Sequence, residues 1–297
     1  MQQSAPAISE RLRRRTRLRP HFGGSVGAGI LAVVARADPM PARIQSLGGF
    51  AVLREGQSVK TSEWQSRRAR ELLKFLVARR GRPAPRLMLM EALWPDGDAD
   101  RLGNRLSVAL TTIRNVLDPQ RRFSSGEFVH ADKESVSLNL CALDVDLERF
   151  LESASKGLGQ VRRGDAGSAI PLLEAAELMY AGDFLEENLY DDWATPPREE
   201  ARAAYIAVAH ALAVHAVRRT DPDGAVRYFL RVLQLDRFDE EAHLGLVAAL
   251  EGAGRHGEAH RQYLNYRHAM DELDVEPVAF PVAALDVPAR SRECVSR

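Results

Sequence analysis

From residue 42 onward, apolar and polar positions first alternate and then fall into a helical rhythm. "RIQSLGGFAVLREGQSVK" alternates around Gly48-Gly49 and Glu55-Gly56, which predicts short strands in a small meander. In "SRRARELLKFLVARRG" the apolar residues Leu72, Leu73, Leu76 and Val77 share one helical face, and Gly81 ends the run. "RPAPR" reads as a connector because its prolines break a helix, and "LMLMEALW" as a short apolar helix stopped by Pro95. A longer helix runs from about Asp100 to Leu117, with Leu106, Ala109, Leu110, Ile113 and Leu117 forming a single stripe at i, i+3, i+4, i+7 and i+11. "EFVHA" and "SVSLNL" are β-prone and joined by Asp132-Lys133-Glu134, which predicts a hairpin. Strands, three helices and a terminal hairpin in this order match a winged helix-turn-helix whose third helix and hairpin form the reading head.

Past "DVDLERF" the rhythm is helical almost to the end. Ala225 aligns with Ala259, Phe229 with Tyr263 and Leu212 with Leu246, each at an offset of 34, which is the tetratricopeptide period. The small residue sits where paired helices approach, and the larger one four positions on fills the space beside it. "GDAGSAIPLLEAAELMYAGDF" repeats the theme with Ala169 and Leu173, and an acidic, aromatic loop, "EENLYDDWATPP", precedes the next helix. Stacked helical hairpins of this kind form a short solenoid. The fold class expected is mainly α with a small β component. A winged helix-turn-helix domain over 42–140 is followed by an α-helical tetratricopeptide-like repeat domain over 144–277. A basic, disordered arm over 1–41 and a loose tail over 278–297 flank them.

Charge sharpens this division. The formal net charge is zero over 297 residues, yet residues 60–122 hold 14 Lys/Arg against 7 Asp/Glu and residues 144–200 hold 5 against 14. A basic module followed by an acidic one suits a first half that meets a polyanion. Cys141 and Cys294 are far apart and have no ligand or disulfide spacing, which fits a reducing compartment. No apolar run is long enough for a transmembrane helix. "RLRRRTRLRP" and "GAGILAVVARA" have the outline of a secretory signal, but the DNA-facing character of the rest favours the cytoplasm and no membrane.

The third helix has an unusual outer face. Its outward positions are Arg101, Asn104, Arg105, Val108, Thr111, Thr112 and Asn115, with no acid after Asp100. Solvent faces are ordinarily rich in Glu, Lys and Arg, which favour the helix more than Asn and Thr do. A major groove explains the choice. Arg pairs with guanine and Asn with adenine, Thr and Val can contact the thymine methyl, and a carboxylate would be repelled by phosphates. The alternative is a helix with a polar rim packed on another domain. Arg67, Arg68 and Arg70 at the start of one helix and Arg86 at the start of the next are candidate phosphate contacts.

Other clusters carry little chemistry. "HGEAH" places His256 and His260 at i and i+4, but a glycine separates the first histidine from the glutamate, unlike the zincin motif. It is expected in an inter-helix turn broken by Gly254 and Gly257. His210 and His215 lie in the first helix of a repeat and need no special role. Glu186-Glu187 and Asp191-Asp192 read as a solvated loop or a partner surface. Walker A, nucleophile-elbow and Cys/His patterns are missing from the sequence, so neither an enzyme nor a cofactor is expected.

The ordered set "LGGFAVLREGQSV…W…RRARELLKFL", "LMEALWPD", "NRLSVALTTIRNVL", "DVDLERF" and "YAGDFLEE…WATPPREEARAAY" resembles the Streptomyces antibiotic regulatory protein family over about residues 42–277. The resemblance implies an OmpR-like winged helix joined to a bacterial transcriptional activation domain of tetratricopeptide-like helices. It also implies an activator that binds direct repeats of double-stranded DNA near promoters as a side-by-side homodimer, and that engages RNA polymerase and its sigma factor. Carried onto this chain, the recognition positions are Asn104, Arg105, Val108, Thr111, Thr112 and Arg114. The wing departs from the family pattern, offering His130 and Lys133 in place of glycines and an arginine. The nucleotide-binding ATPase domain of larger members has no counterpart in this sequence, and the N-terminus is compatible with truncation of a longer regulator. The rival reading is a protein-interaction scaffold that uses the repeats and whose winged helix no longer reads DNA. A repressor would share the same architecture.

Overall fold

The computed structural model describes residues 42–280. The expected arm, 1–41, and most of the expected tail, 281–297, lie outside the described residues.

The chain enters as β1 (Ala42–Gln45), β2 (Ala51–Arg54) and β3 (Gln57–Ser58). Strands β1 and β2 pair antiparallel with Ile44 opposite Val52, both buried. Gly48, at φ 80°, makes the tight reversal between them in a backbone conformation that strains any residue with a side chain. Helix α1 (Arg67–Ala78) starts at Ser66, whose hydroxyl accepts from the Ala69 N–H. After β4 (Ala84–Pro85) come α2 (Arg86–Leu93) and α3 (Ala99–Leu117). The wing is β5 (Val129–Ala131) and β6 (Ser135–Leu138), with His130 opposite Ser137. Asp132 shapes its tip by accepting the Glu134 and Ser135 N–H groups at 2.8 and 2.7 Å. Those bonds hold its carboxyl below the usual carboxylate range.

Two short strands extend the expected pattern. The connector contributes β4, which pairs with β6 so that the sheet runs β4-β6-β5. Asp144–Val145 forms β7, parallel to β1, completing the sheet β3-β2-β1-β7. The chain therefore passes from the wing into the helical half through a strand of the first sheet.

The helical half comprises α4 (Asp146–Arg162), α5 (Ala166–Met179), α6 (Thr195–Arg218), α7 (Pro222–Leu235), α8 (Glu240–Gly252) and α9 (His256–Glu272). They pack as antiparallel hairpins α4/α5, α6/α7 and α8/α9. Asp165, Asp221 and Asp239 cap α5, α7 and α8 by accepting the N–H three residues on. Ala225 and Ala259, which the 34-residue offset marked, are fully buried, as is Ala169 of the earlier repeat-like segment. A Cβ added at Gly245 of α8 would lie 2.4 Å from the Phe229 ring of α7. Gly245→Ala is therefore expected to force that ring aside at a cost of about 1–3 kcal/mol, read as a lower midpoint in urea unfolding; an unchanged midpoint would mean the repeats are packed more loosely here.

The turn before α9 corrects one expectation. Gly254 takes the left-handed conformation at φ 73°, but Gly257 lies inside α9, so "HGEAH" forms the first turn of that helix. His256 Nδ1 contacts Glu251 at 2.9 Å. Among the described residues no group of His, Cys, Asp and Glu is placed to hold a metal ion, and no helix is long and apolar enough to cross a membrane. At the far end, the Tyr263 hydroxyl donates to the Val278 carbonyl and Phe280 packs edge-on against Tyr263, so the first residues of the expected tail are folded back on α9.

The two halves share one buried core. The Asp146 carboxylate, at the start of α4, accepts the Ser46 N–H at 2.8 Å, the Ser46 hydroxyl at 2.6 Å and the Leu47 N–H at 3.0 Å. The loop after α5 lies along the β1–β2 turn. The Gly48 N–H donates to the Asp183 carbonyl and the Leu185 N–H to the Ser46 carbonyl, which brings Leu47 against Phe184, both fully buried. Lys74 of α1 is 2% exposed and donates to Glu71 at 2.9 Å and to Asn188 at 3.0 Å, with Glu187 beside it. Phe75 meets Trp193 at 5.2 Å between ring centroids. The acidic loop, expected as a solvated loop or a partner surface, keeps Glu186 and Asp192 exposed and, through Glu187 and Asn188, forms a polar latch onto the winged helix.

Candidate nucleic-acid interface

Helix α3 packs on α1, α2 and the short turn Thr61–Trp64 through Leu106, Ala109, Leu110, Ile113, Val116 and Leu117, all buried. Its other side is open. Arg101, Asn104, Arg105, Thr111 and Asn115 are exposed, and Val108 is 58% exposed. Thr111 donates its hydroxyl proton to the Ser107 carbonyl four residues back at 3.0 Å. Its oxygen remains an acceptor and its methyl remains free. Arg101 forms a 3.5 Å ion pair with Asp98.

Four candidate positions sit differently from expectation. Thr112 is 8% exposed and donates to the Val108 carbonyl. The Thr61–Trp64 turn packs on α3 and widens its buried arc, which removes Thr112 from the outer face. Arg114 is half-buried and donates to the Val129 carbonyl at 3.3 Å, bracing the wing against α3. Arg70 donates to the Phe50 carbonyl at 2.9 Å, stacks over the Phe50 ring and pairs with Glu187, because the loop after α5 draws it inward. Arg86 donates to the Asp132 carbonyl at 3.2 Å while its own N–H bonds the Glu134 carbonyl, so it steadies the wing tip.

The other candidates are exposed: Arg67 and Arg68 open α1, and His130 and Lys133 lie on the wing. Two sets of cations stand out in the winged helix. Arg43, Arg54, Arg80 and Arg122 are paired with Asp144, Glu63, Glu148 and Glu55. Arg67, Arg68, Arg105, Arg121 and Lys133 are exposed and make no ion pair among the described residues. The second set supplies positive charge that no internal carboxylate neutralises. Arg121 went unnoticed in the sequence because it lies in a loop with no periodic pattern to flag it.

Arg80 illustrates the first set. It bonds Glu148 at 2.6 Å and Glu200 at 2.6 Å, and although burial works against its charge, those carboxylates hold its pKa above the usual arginine value. It joins the end of α1 to α4 and α6.

Residues 145–280 match the family model described as bacterial transcriptional activator domain. The helical half is such an activator domain. Among solved structures, the fold is similar to that of EmbR of Mycobacterium tuberculosis, solved in complex with a low affinity phosphopeptide. The TM-score is 0.65 at 19% identity, over 81% of this chain and 62% of that chain. At that identity the likeness is one of fold, and this chain spans about three-fifths of its neighbour's length. No curated protein matches the sequence. The domain match and the shared fold agree with the two-part architecture that the family resemblance implies.

Proposed function

We propose that the chain is a sequence-specific DNA-binding regulator, an activator by type, whose α3 enters the major groove of duplex DNA. The observation that carries this reading is the open side of α3: Asn104, Arg105, Val108, Thr111 and Asn115 are exposed together, with no carboxylate from Arg101 to Leu117. Such a face costs helix propensity and leaves an apolar residue in water, and base edges give both a use. Unpaired Arg67, Arg68 and Lys133 on neighbouring elements supply phosphate contacts. Binding of direct repeats as a homodimer, and engagement of RNA polymerase with its sigma factor, rest on the family resemblance and on the activator domain.

Salt titration tests the reading. Arg67→Gln or Arg68→Gln, each removing one phosphate-binding charge, is expected to reduce the slope of log K against log salt by about 0.9, equally for random and specific duplex. Fluorescence anisotropy at several salt concentrations reads this directly. A wild-type chain that bound duplex with no salt dependence, or that showed no preference for promoter DNA over random DNA, would instead favour the scaffold reading.

A further inference from the structure

Beside the C-terminal half of α3 lies a cleft of about 380 Å³ whose rim carries Thr111, Asn115, Arg121, Ser124 and Ser125. We infer that this cleft seats the backbone phosphates of the DNA strand flanking the groove that α3 enters. The inference rests on the DNA-binding reading and adds Arg121, Ser124 and Ser125 to it.

Three observations point to a phosphodiester. Arg121, Ser124 and Ser125 give the rim a guanidinium and two hydroxyls able to donate to phosphate oxygens, leaving Thr111 and Asn115 to the bases. Arg121 is exposed and makes no ion pair among the described residues, whereas its neighbour Arg122 is held by Glu55 at 3.2 Å. The loop is also already set in shape. Arg121 takes the left-handed conformation at φ 52°, turning the chain back just past α3. Asp118 Oδ2 accepts the Phe123 N–H at 2.8 Å, and Phe123 packs edge-on to Phe128 at 5.4 Å. A rim fixed in advance loses little freedom on binding.

Two features oppose an anion here. The C-terminal end of a helix carries about half a negative charge, and Asp118 lies under the floor, 7% exposed. Arg114 and Arg121, both lining the cleft, bring two full positive charges against them. The opposite flank of α3 is less suitable. Its cleft, about 270 Å³, holds Glu63, whose carboxyl is kept below the usual range by the Lys60 N–H and the Arg54 guanidinium. That carboxylate repels a phosphate and occupies Arg54, the arginine lining that cleft, so the strand belongs on the Arg121 side.

The test compares adjacent arginines in the full chain, with a short random-sequence duplex as probe. Arg121→Gln is expected to lower the salt slope by about 0.9, while Arg122→Gln leaves it unchanged. Ser125→Asp, which places a carboxylate on the rim, should weaken binding without altering the circular dichroism spectrum or the melting temperature. A wild-type slope for a folded Arg121→Gln chain overturns the inference, as does an equal fall in Arg122→Gln. Should the wild-type chain bind the duplex with no salt dependence, the DNA reading itself falls and this seat with it, an outcome distinct from the two before.

Discussion

Lys74→Ala is expected to lower stability by about 1–3 kcal/mol, the usual effect of removing a charged hydrogen-bond donor from part-buried partners. The side chain is 2% exposed and faces Glu71, Glu187 and Asn188. Without it, two carboxylates would be left close together, one on the winged helix and one on the loop that latches to it. Glu71 is 20% and Glu187 35% exposed, and Arg70 still pairs with Glu187, so water and that arginine offset part of the repulsion. Chemical denaturation followed by circular dichroism gives the measurement. Lys74→Met combined with Glu187→Leu should recover most of the stability, since apolar replacement of a whole buried pair is often neutral or better. A drop of less than about 1 kcal/mol for Lys74→Ala would place the pair among surface ion pairs and leave the two halves held by their apolar core alone.

The second large effect is on recognition. Asn115→Ala is expected to weaken binding to the cognate site by roughly tenfold to a hundredfold, the range for removing one base-specific hydrogen-bonding group worth about 1–3 kcal/mol, with random duplex bound as before. Thr111→Ala should do less, because its hydroxyl proton is already given to Ser107 and only the oxygen and methyl remain to touch a base. The two variants together should flatten the preference for the cognate site. Genome-wide mapping supplies that site, and competition with random duplex measures the preference. Equal weakening on cognate and random DNA would move Asn115 from base reading to backbone contact.

Much of this architecture is written in local patterns. The strand meander, the three helices, the hairpin and the 34-residue offset all follow from periods of two and 3.6 residues, and each recurs in the structure within a residue or two. Strands β4 and β7 leave no such trace, because two residues cannot display an alternation. The roles of Arg70 and Glu187 are hidden for a different reason. Both look solvated until a loop more than 100 residues away in sequence folds onto α1, and no window of sequence contains that contact. Lys74 is concealed in the same way, as a charge on what looks like the outer side of an amphipathic helix. Thr112 lies three residues beyond Ala109, at the margin of the apolar stripe, where the arc buried by the Thr61–Trp64 turn decides its side. The open face of α3 is legible since it depends on residue types at helical spacing. Arg121 is not, since its meaning comes from lacking a partner that its neighbour has.

The passage from wing to activator domain has no slack in it: β7 is paired to β1, and the Asp146 carboxylate that opens α4 is tied to Ser46 and Leu47. For a protein that reads duplex with α3, this sets the compass bearing of the activator domain around the double helix as well as its distance along it. If that domain meets polymerase as proposed, inserting about half a helical turn of DNA, roughly five base pairs, between operator and promoter would point it away, while a full-turn insertion would restore the same side.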